Sequence, residues 1–222
     1  MNSGATLALG AFTLTVGGNV FADGPITGTG SVAINAAGQL RGSVPGLILS
    51  APVTLNAVTV VTGSIIVTGT TGQLIVGDQA IDLSGNLTVQ SGALLIMTGT
   101  AGQVSVGGNA LFAGGNELTT LTAGYLFVGG NFTQVGTVGT PSADSYHPSG
   151  SHYTILNGTS QTVTFQTPGD QPGSSHFQLL VWTGTGTLTL ATDVYAHGDF
   201  STTSGSAGTI TLRFNANDTK WH

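Results

Sequence analysis

Histidines in the C-terminal third are the residues of this sequence whose type and spacing could bind a metal ion. These are His147, His152, His176 and His197, with Asp144 and Asp199 nearby. Imidazole is a common zinc ligand, but the spacing matches no recognised ligand motif. A hydrogen-bonded or solvent-facing histidine is the more common case. We therefore expect no cofactor, and keep His147, His152 and His176 as weak metal candidates.

Carboxylates are too few to indicate a hydrolase or a lyase. The chain holds 9 Asp+Glu, and Glu117 is its one glutamate. Glycoside hydrolysis needs a pair of carboxylates at a suitable separation, and the closest acidic pair in the regular part is Asp78 and Asp82. Isolated surface aspartates are more often turn formers. We expect no enzymatic activity.

Fixed positive charge is almost absent from this chain. Of 222 residues only Arg41, Arg213 and Lys220 carry it, and the formal net charge is -6. Such a chain cannot neutralise a run of phosphates, which argues against nucleic acid as a partner. The apolar runs stop after a few residues, as at 93–97, far short of the roughly 20 needed to span a bilayer. We expect neither nucleic-acid binding nor membrane insertion.

A glycine followed by a small polar residue recurs along the chain at a nearly constant interval. The pairs are Gly18-Asn19, Gly42-Ser43, Gly63-Ser64, Gly85-Asn86, Gly108-Asn109, Gly130-Asn131, Gly150-Ser151, Gly173-Ser174 and Gly198-Asp199. Apolar residues alternate with polar ones on both sides of most pairs, which is the pattern of short strands flanking a bend. We expect glycine to supply positive φ there, and Asn19, Asn86, Asn109 and Asn131 to form a side-chain ladder.

The interval between these pairs is a period of about 22 residues, which predicts a solenoid. Between Gly85 and Gly130 the alternation predicts strands near 87–89, 94–97, 104–106, 110–113, 118–121 and 125–128. Three short strands per period indicate an all-β fold, a parallel β-helix (β-solenoid) with coils of about 22 residues. Ten such coils at ~4.8 Å each would form a rod about 50 Å long.

The regular pattern covers residues 1–135 and weakens afterwards. For residues 136–222 we expect continued, less regular coils with protruding loops near 136–150 and 167–175, where turn formers replace alternation. The alternative is a solenoid of residues 1–135 followed by a small C-terminal β-sandwich.

Threonines repeat as Thr-x-Thr in the C-terminal part. The members are Thr162, Thr164, Thr187, Thr189, Thr209 and Thr211. On successive coils they would form a flat outward threonine face, which resembles the ice-binding faces of solenoid antifreeze proteins. Threonine is also simply favoured at exposed strand positions, so ice binding stands third among the functions we consider.

The phrases Val104-Ser105-Val106-Gly107-Gly108-Asn109 and Leu126-Phe127-Val128-Gly129-Gly130-Asn131 resemble Gly/Thr-rich repeats of large secreted bacterial surface proteins, the adhesin and autotransporter-passenger β-solenoids. The resemblance implies an extracellular or cell-surface structural role and identifies no ligand. The sequence shows neither a polar cap nor a capping helix. We therefore expect a surface stalk, an adhesin segment or a filament subunit that stacks head to tail with other copies of itself.

Glycan binding is the alternative function, and glycan cleavage the less expected form of it. Many β-helices process polysaccharides, so the fold resemblance implies surface glycans as possible partners. Aromatic side chains on one groove would favour this reading. The candidate contacts are Tyr146, Tyr153, Trp182 and Tyr195.

Overall fold

A computed structural model shows a chain of short parallel β-strands wound into a solenoid. It describes residues 4–136, 145–169, 171, 174–202 and 209–211. These residues contain no helix, and so none that is long and apolar enough to cross a membrane.

The strands follow one another with only short bends between most of them. The first twelve are β1 (Leu7–Gly10), β2 (Thr13–Val16), β3 (Val20–Ala22), β4 (Ile26–Gly28), β5 (Ser31–Ile34), β6 (Gly38–Val44), β7 (Leu47–Leu49), β8 (Pro52–Val61), β9 (Ile65–Thr68), β10 (Gln73–Ile75), β11 (Ala80–Leu83) and β12 (Leu87–Gln90). The others are β13 (Leu94–Ile96), β14 (Gln103–Val106), β15 (Ala110–Ala113), β16 (Tyr125–Val128), β17 (Phe132–Gln134), β18 (Tyr153–Leu156), β19 (Gln161–Phe165), β20 (Leu179–Trp182), β21 (Thr187–Leu190), β22 (Phe200–Thr202) and β23 (Thr209–Thr211).

Three faces surround the core. The first face is a ten-stranded sheet in the order β2-β5-β7-β9-β12-β15-β17-β19-β21-β23. An eleven-stranded sheet covers the other two sides, because β6 and β8 are long enough to bend from one side to the next. Residues 52–54 of β8 pair with β10, whereas residues 59–61 pair with β11. We call the side of β10 and β13 the second face, and that of β11, β14, β16, β18, β20 and β22 the third face.

The predicted parallel β-solenoid is confirmed, with coils of about 22 residues in its central part. Paired residues of the first face are 22, 23 and 22 positions apart from β9 to β17. The first three steps are shorter, with offsets of 18, 15 and 18. Later steps are longer, because Phe132 pairs with Val163 and Gln161 pairs with Leu188. The predicted three strands per coil are found as far as β14. After β13 the second face has no further named strand among the described residues, and Leu121 forms an isolated parallel bridge with Met97 there.

The core changes in composition along the solenoid axis. In the early coils the inward side chains are aliphatic, such as Val32, Ile34 and Leu40, all fully buried. The longer later coils enclose a wider interior, which aromatic rings fill. The Phe132 ring lies 5.6 Å from Phe112, 4.8 Å from Tyr146, 5.5 Å from Phe165 and 4.9 Å from Phe177.

The C-terminal part is built of further coils. Strands β19, β21 and β23 continue the first face, and β18, β20 and β22 continue the third, all in parallel pairs. The described residues of this region therefore form solenoid coils and not a separate sandwich. Of the loop predicted near 136–150, positions 137–144 lie outside the described residues, whereas 145–148 are buried instead of protruding.

Candidate functional site

Asparagines form a hydrogen-bonded ladder at the corner that leads into the first face. The Asn109 amide N–H donates to Asn86 Oδ1 at 2.8 Å, and that of Asn131 donates to Asn109 Oδ1 at 2.7 Å. Ser64 and Thr162 extend the ladder at its two ends. The ladder joins neighbouring coils where the backbone leaves one sheet and has not yet entered the next. Its role is structural.

The glycines of this corner are needed for space and not for positive φ. Gly85, Gly108 and Gly130 are absent from the glycines with positive φ. A Cβ on Gly130 would lie 2.6 Å from the carbonyl oxygen of Gly108 in the preceding coil, closer than atoms approach. The expectation of positive φ therefore fails at these three, although Gly18 does have it, at 145°.

Asn19 belongs to a different corner, between β2 and β3. Its Oδ1 accepts from the Gln39 amide at 2.9 Å, so it ties the first two coils together but does not continue the main ladder. Gly-polar pairs thus mark more than one corner of the coil.

His152 is a core residue. Its Nδ1 donates to the Ala123 carbonyl oxygen at 2.9 Å and its Nε2 lies 3.3 Å from Tyr146 Oη. The Tyr146 hydroxyl in turn lies 2.6 Å from Thr154 Oγ1. Burial lowers the pKa of His152 to about 4, because the core offers its charged form no solvation. Burial likewise raises the pKa of Tyr146.

His147 and His176 lie together, with ring centroids 4.2 Å apart, and His197 is 5.5 Å from His176 on the other side. Both rings are hydrogen-bonded to backbone carbonyl groups. The Ser174 carbonyl oxygen lies 2.9 Å from His147 Nδ1, and the Pro148 carbonyl oxygen lies 3.0 Å from His176 Nε2. Burial, followed by the nearby His147, lowers the pKa of His176. In the described part of the chain, no three His, Cys, Asp or Glu side chains are placed to hold a metal ion.

The aromatic residues expected to contact glycans do not share a surface. Tyr146 and Trp182 are buried in the core, at 0% and 2% exposure. Tyr195 is exposed. Tyr153 points outward from the third face, where its ring stacks on Tyr125 with centroids 5.3 Å apart.

The third face carries a trough that the sequence did not reveal. Parallel pairing aligns Val60, Asp82, Ser105 and Phe127 in one outward row on consecutive coils. The two larger apolar side chains stand at the ends and the smaller polar ones lie between them, which leaves an open volume of about 590 Å³. Among the residues that line it are Val60, Asp82, Gln103, Ser105, Phe127 and Asn157.

Threonines of successive coils lie opposite one another on the first face. Thr162 lies opposite Thr189, which lies opposite Thr211. Thr187 pairs with Thr209, and Thr164 pairs with Thr133 of the preceding coil.

Glu117, for which the sequence pattern predicts no special role, is completely buried. Its Oε1 accepts a 3.0 Å hydrogen bond from the Leu95 amide, and its Oε2 has no partner. Leu95 lies in β13. The next coil has no strand beside β13 whose carbonyl group could accept the Leu95 amide hydrogen bond, and the Glu117 carboxyl accepts it instead. Burial raises the pKa of Glu117 well above its usual value.

No protein-family model, curated protein or solved structure matches this chain. The class is therefore defined by the fold: a repeat protein of the parallel β-solenoid type.

Proposed function

We propose that this chain is a structural segment of an extracellular surface protein, a stalk, adhesin segment or fibre, that extends by stacking end to end with other copies. It performs no chemistry of its own. The Gly/Thr-rich repeats and their resemblance to secreted bacterial surface proteins support the location. The main support for stacking is the exposure of apolar side chains in the first coil.

The first coil has an inward row that is only partly covered. Leu14 and Val16 of β2 are half-buried, although their partners Val32 and Ile34 in the next coil are fully buried. Phe12, just before β2, is 80% exposed. Another coil laid on this edge would cover these side chains and supply hydrogen-bond partners to β2. Each apolar side chain would add about 1–2 kcal/mol of favourable burial.

Low charge permits such association. An edge strand normally resists pairing through charged side chains, and β1 and β2 contain none. The cation nearest in sequence, Arg41, is already paired with Asp23 at 2.9 Å.

The test is a pair of lysine substitutions on the same strand. Leu14→Lys places a charge on the inward row of the edge, and Thr15→Lys adds the same charge on the outward side of β2. We expect sedimentation and electron microscopy over a concentration series to show end-to-end rods for the unaltered chain and Thr15→Lys, with a subunit repeat on the order of 45 Å. Leu14→Lys should remain monomeric. Monomers of the unaltered chain at every concentration would refute stacking.

A further inference from the structure

The trough of the third face has one aromatic ring among its lining residues, Phe127, and Tyr125 lies two positions before it on the same strand. Tyr125 and Phe127 alternate along β16, both pointing outward and both half-buried. The Tyr125 ring stacks on Tyr153 of the neighbouring coil, with ring planes 17° apart. Gln103 is the partner of Tyr125 in the preceding coil and lines the trough.

Phe127 is oriented in a similar way. Its ring is inclined by 26° to that of Tyr125, with centroids 6.3 Å apart. Its own partner in the preceding coil is Ser105, a side chain too small to cover the ring. Phe127 thus presents its ring to the open volume, and a flat apolar ligand surface can stack on it.

Hydrogen-bonding side chains line the same trough as Phe127. Asp82 offers two acceptor oxygens, Gln103 and Asn157 offer both donors and acceptors, and Ser105 offers a hydroxyl. Such a mixture of acceptors and donors suits the hydroxyl groups of a sugar, while a pyranose ring supplies an apolar face for the aromatic ring. A small number of polar groups beside apolar walls is typical of ligand sites.

The charge of the trough restricts the kind of sugar. Of the residues that line it, Asp82 is the one with a charged side chain. A carboxylate with no cation among the lining residues repels uronate, sialate and sulfate groups.

From these contacts we propose that the trough binds a neutral glycan, with a pyranose ring stacked on Phe127 and its hydroxyl groups bonded to Asp82, Gln103 and Ser105. The site is independent of end-to-end stacking, because it lies on a side of the rod and not at its edge.

The test is an array of neutral and acidic oligosaccharides probed with the full chain, followed by titration calorimetry with the best neutral binder. Phe127→Ala removes the ring, and Ser105→Trp fills the trough from an outward position. We expect each to weaken binding about tenfold or more. Phe12→Ala removes an exposed ring elsewhere and should leave the affinity unchanged.

Several outcomes would overturn the proposal. They are the absence of any neutral binder, equal binding of acidic oligosaccharides, and binding that neither Phe127→Ala nor Ser105→Trp weakens. Leu14→Lys separates this proposal from the stacking one, because it should abolish rods and leave glycan affinity unchanged. Circular dichroism of each variant checks that the β-structure is retained.

Discussion

Glu117 should make the stability of this protein depend on pH in a measurable and unusual direction. Its carboxyl is fully buried, and one of its oxygens has no hydrogen-bond partner. Because burial raises its pKa in the folded state, the folded protein holds a proton that the unfolded chain has already released. The perturbation to make is Glu117→Gln, which keeps an oxygen to accept from the Leu95 amide but cannot ionise.

The magnitude follows from proton linkage. An unfolded glutamate titrates near pH ~4.3. Above that pH, the Glu117 contribution to the free energy of unfolding falls by about 1.4 kcal/mol per pH unit until the folded pKa is reached. His152 acts in the opposite sense: its pKa is lowered to about 4, so its contribution rises with pH up to the unfolded value near ~6.5. In the unaltered protein the two contributions therefore have slopes of opposite sign and offset each other in part.

The assay is urea unfolding of both proteins at pH 4.5, 5.5 and 6.5. The quantity to compare is the free energy of unfolding of Glu117→Gln minus that of the unaltered chain. The contribution of the histidines is the same in both proteins and drops out of this difference. The stability difference should grow in favour of Glu117→Gln at each step from pH 4.5 to pH 6.5, by up to about 1.4 kcal/mol per pH unit while the folded carboxyl keeps its proton. The converse variant, His152→Gln, should show the opposite slope. A Glu117→Gln difference that is the same at all three pH values would refute the buried, protonated carboxyl.

Two further predictions concern the contacts between coils. Asn109→Ala removes the acceptor for an amide of the next coil, and we expect urea unfolding to show a loss of about 1 kcal/mol in the free energy of unfolding. The control is Asn35→Ala, an exposed residue outside the ladder, which should lower that free energy less. Equal losses in the two variants would contradict a contribution of the ladder to stability. Gly158→Ala would drive a Cβ into the carbonyl oxygen of Gly129 in the neighbouring coil. We expect it to lower the melting temperature by several degrees, corresponding to about 2 kcal/mol or more. The matched control is Gly17→Ala, where the nearest atom is 3.8 Å from the added Cβ, and a similar loss in both variants would show that close coil approach is not the cause.

The central coils could be predicted from the sequence almost strand by strand. The expected strands 87–89, 104–106, 110–113 and 125–128 correspond to β12, β14, β15 and β16 with boundaries that differ by at most a single position. Alternation predicts them because an inward side chain must be apolar and its neighbours face water. Near 118–121, alternation failed: Glu117 turns inward and completes a hydrogen bond in place of a strand.

The site was much harder to predict than the strands. Tyr146 and Trp182 looked like surface aromatics, but the long later coils enclose a space that needs large rings. The trough was not predicted, although its row follows the period of the repeat. The positions of Val60, Asp82, Ser105 and Phe127 are one period apart along the sequence. That spacing identifies them as neighbours only when the register between coils is known.

The sequence by itself determined that the chain forms short strands, which of their side chains in the central coils point inward, and that the strands must stack in a repeating coil. Alternation and close-packed glycines act locally, within a short stretch of chain. Only the tertiary structure decided the length of each coil, the corner to which each glycine belongs, and which outward residues become neighbours. Those properties depend on the register in which each coil pairs with the next. Residues a full coil apart along the chain become neighbours only when these strands pair.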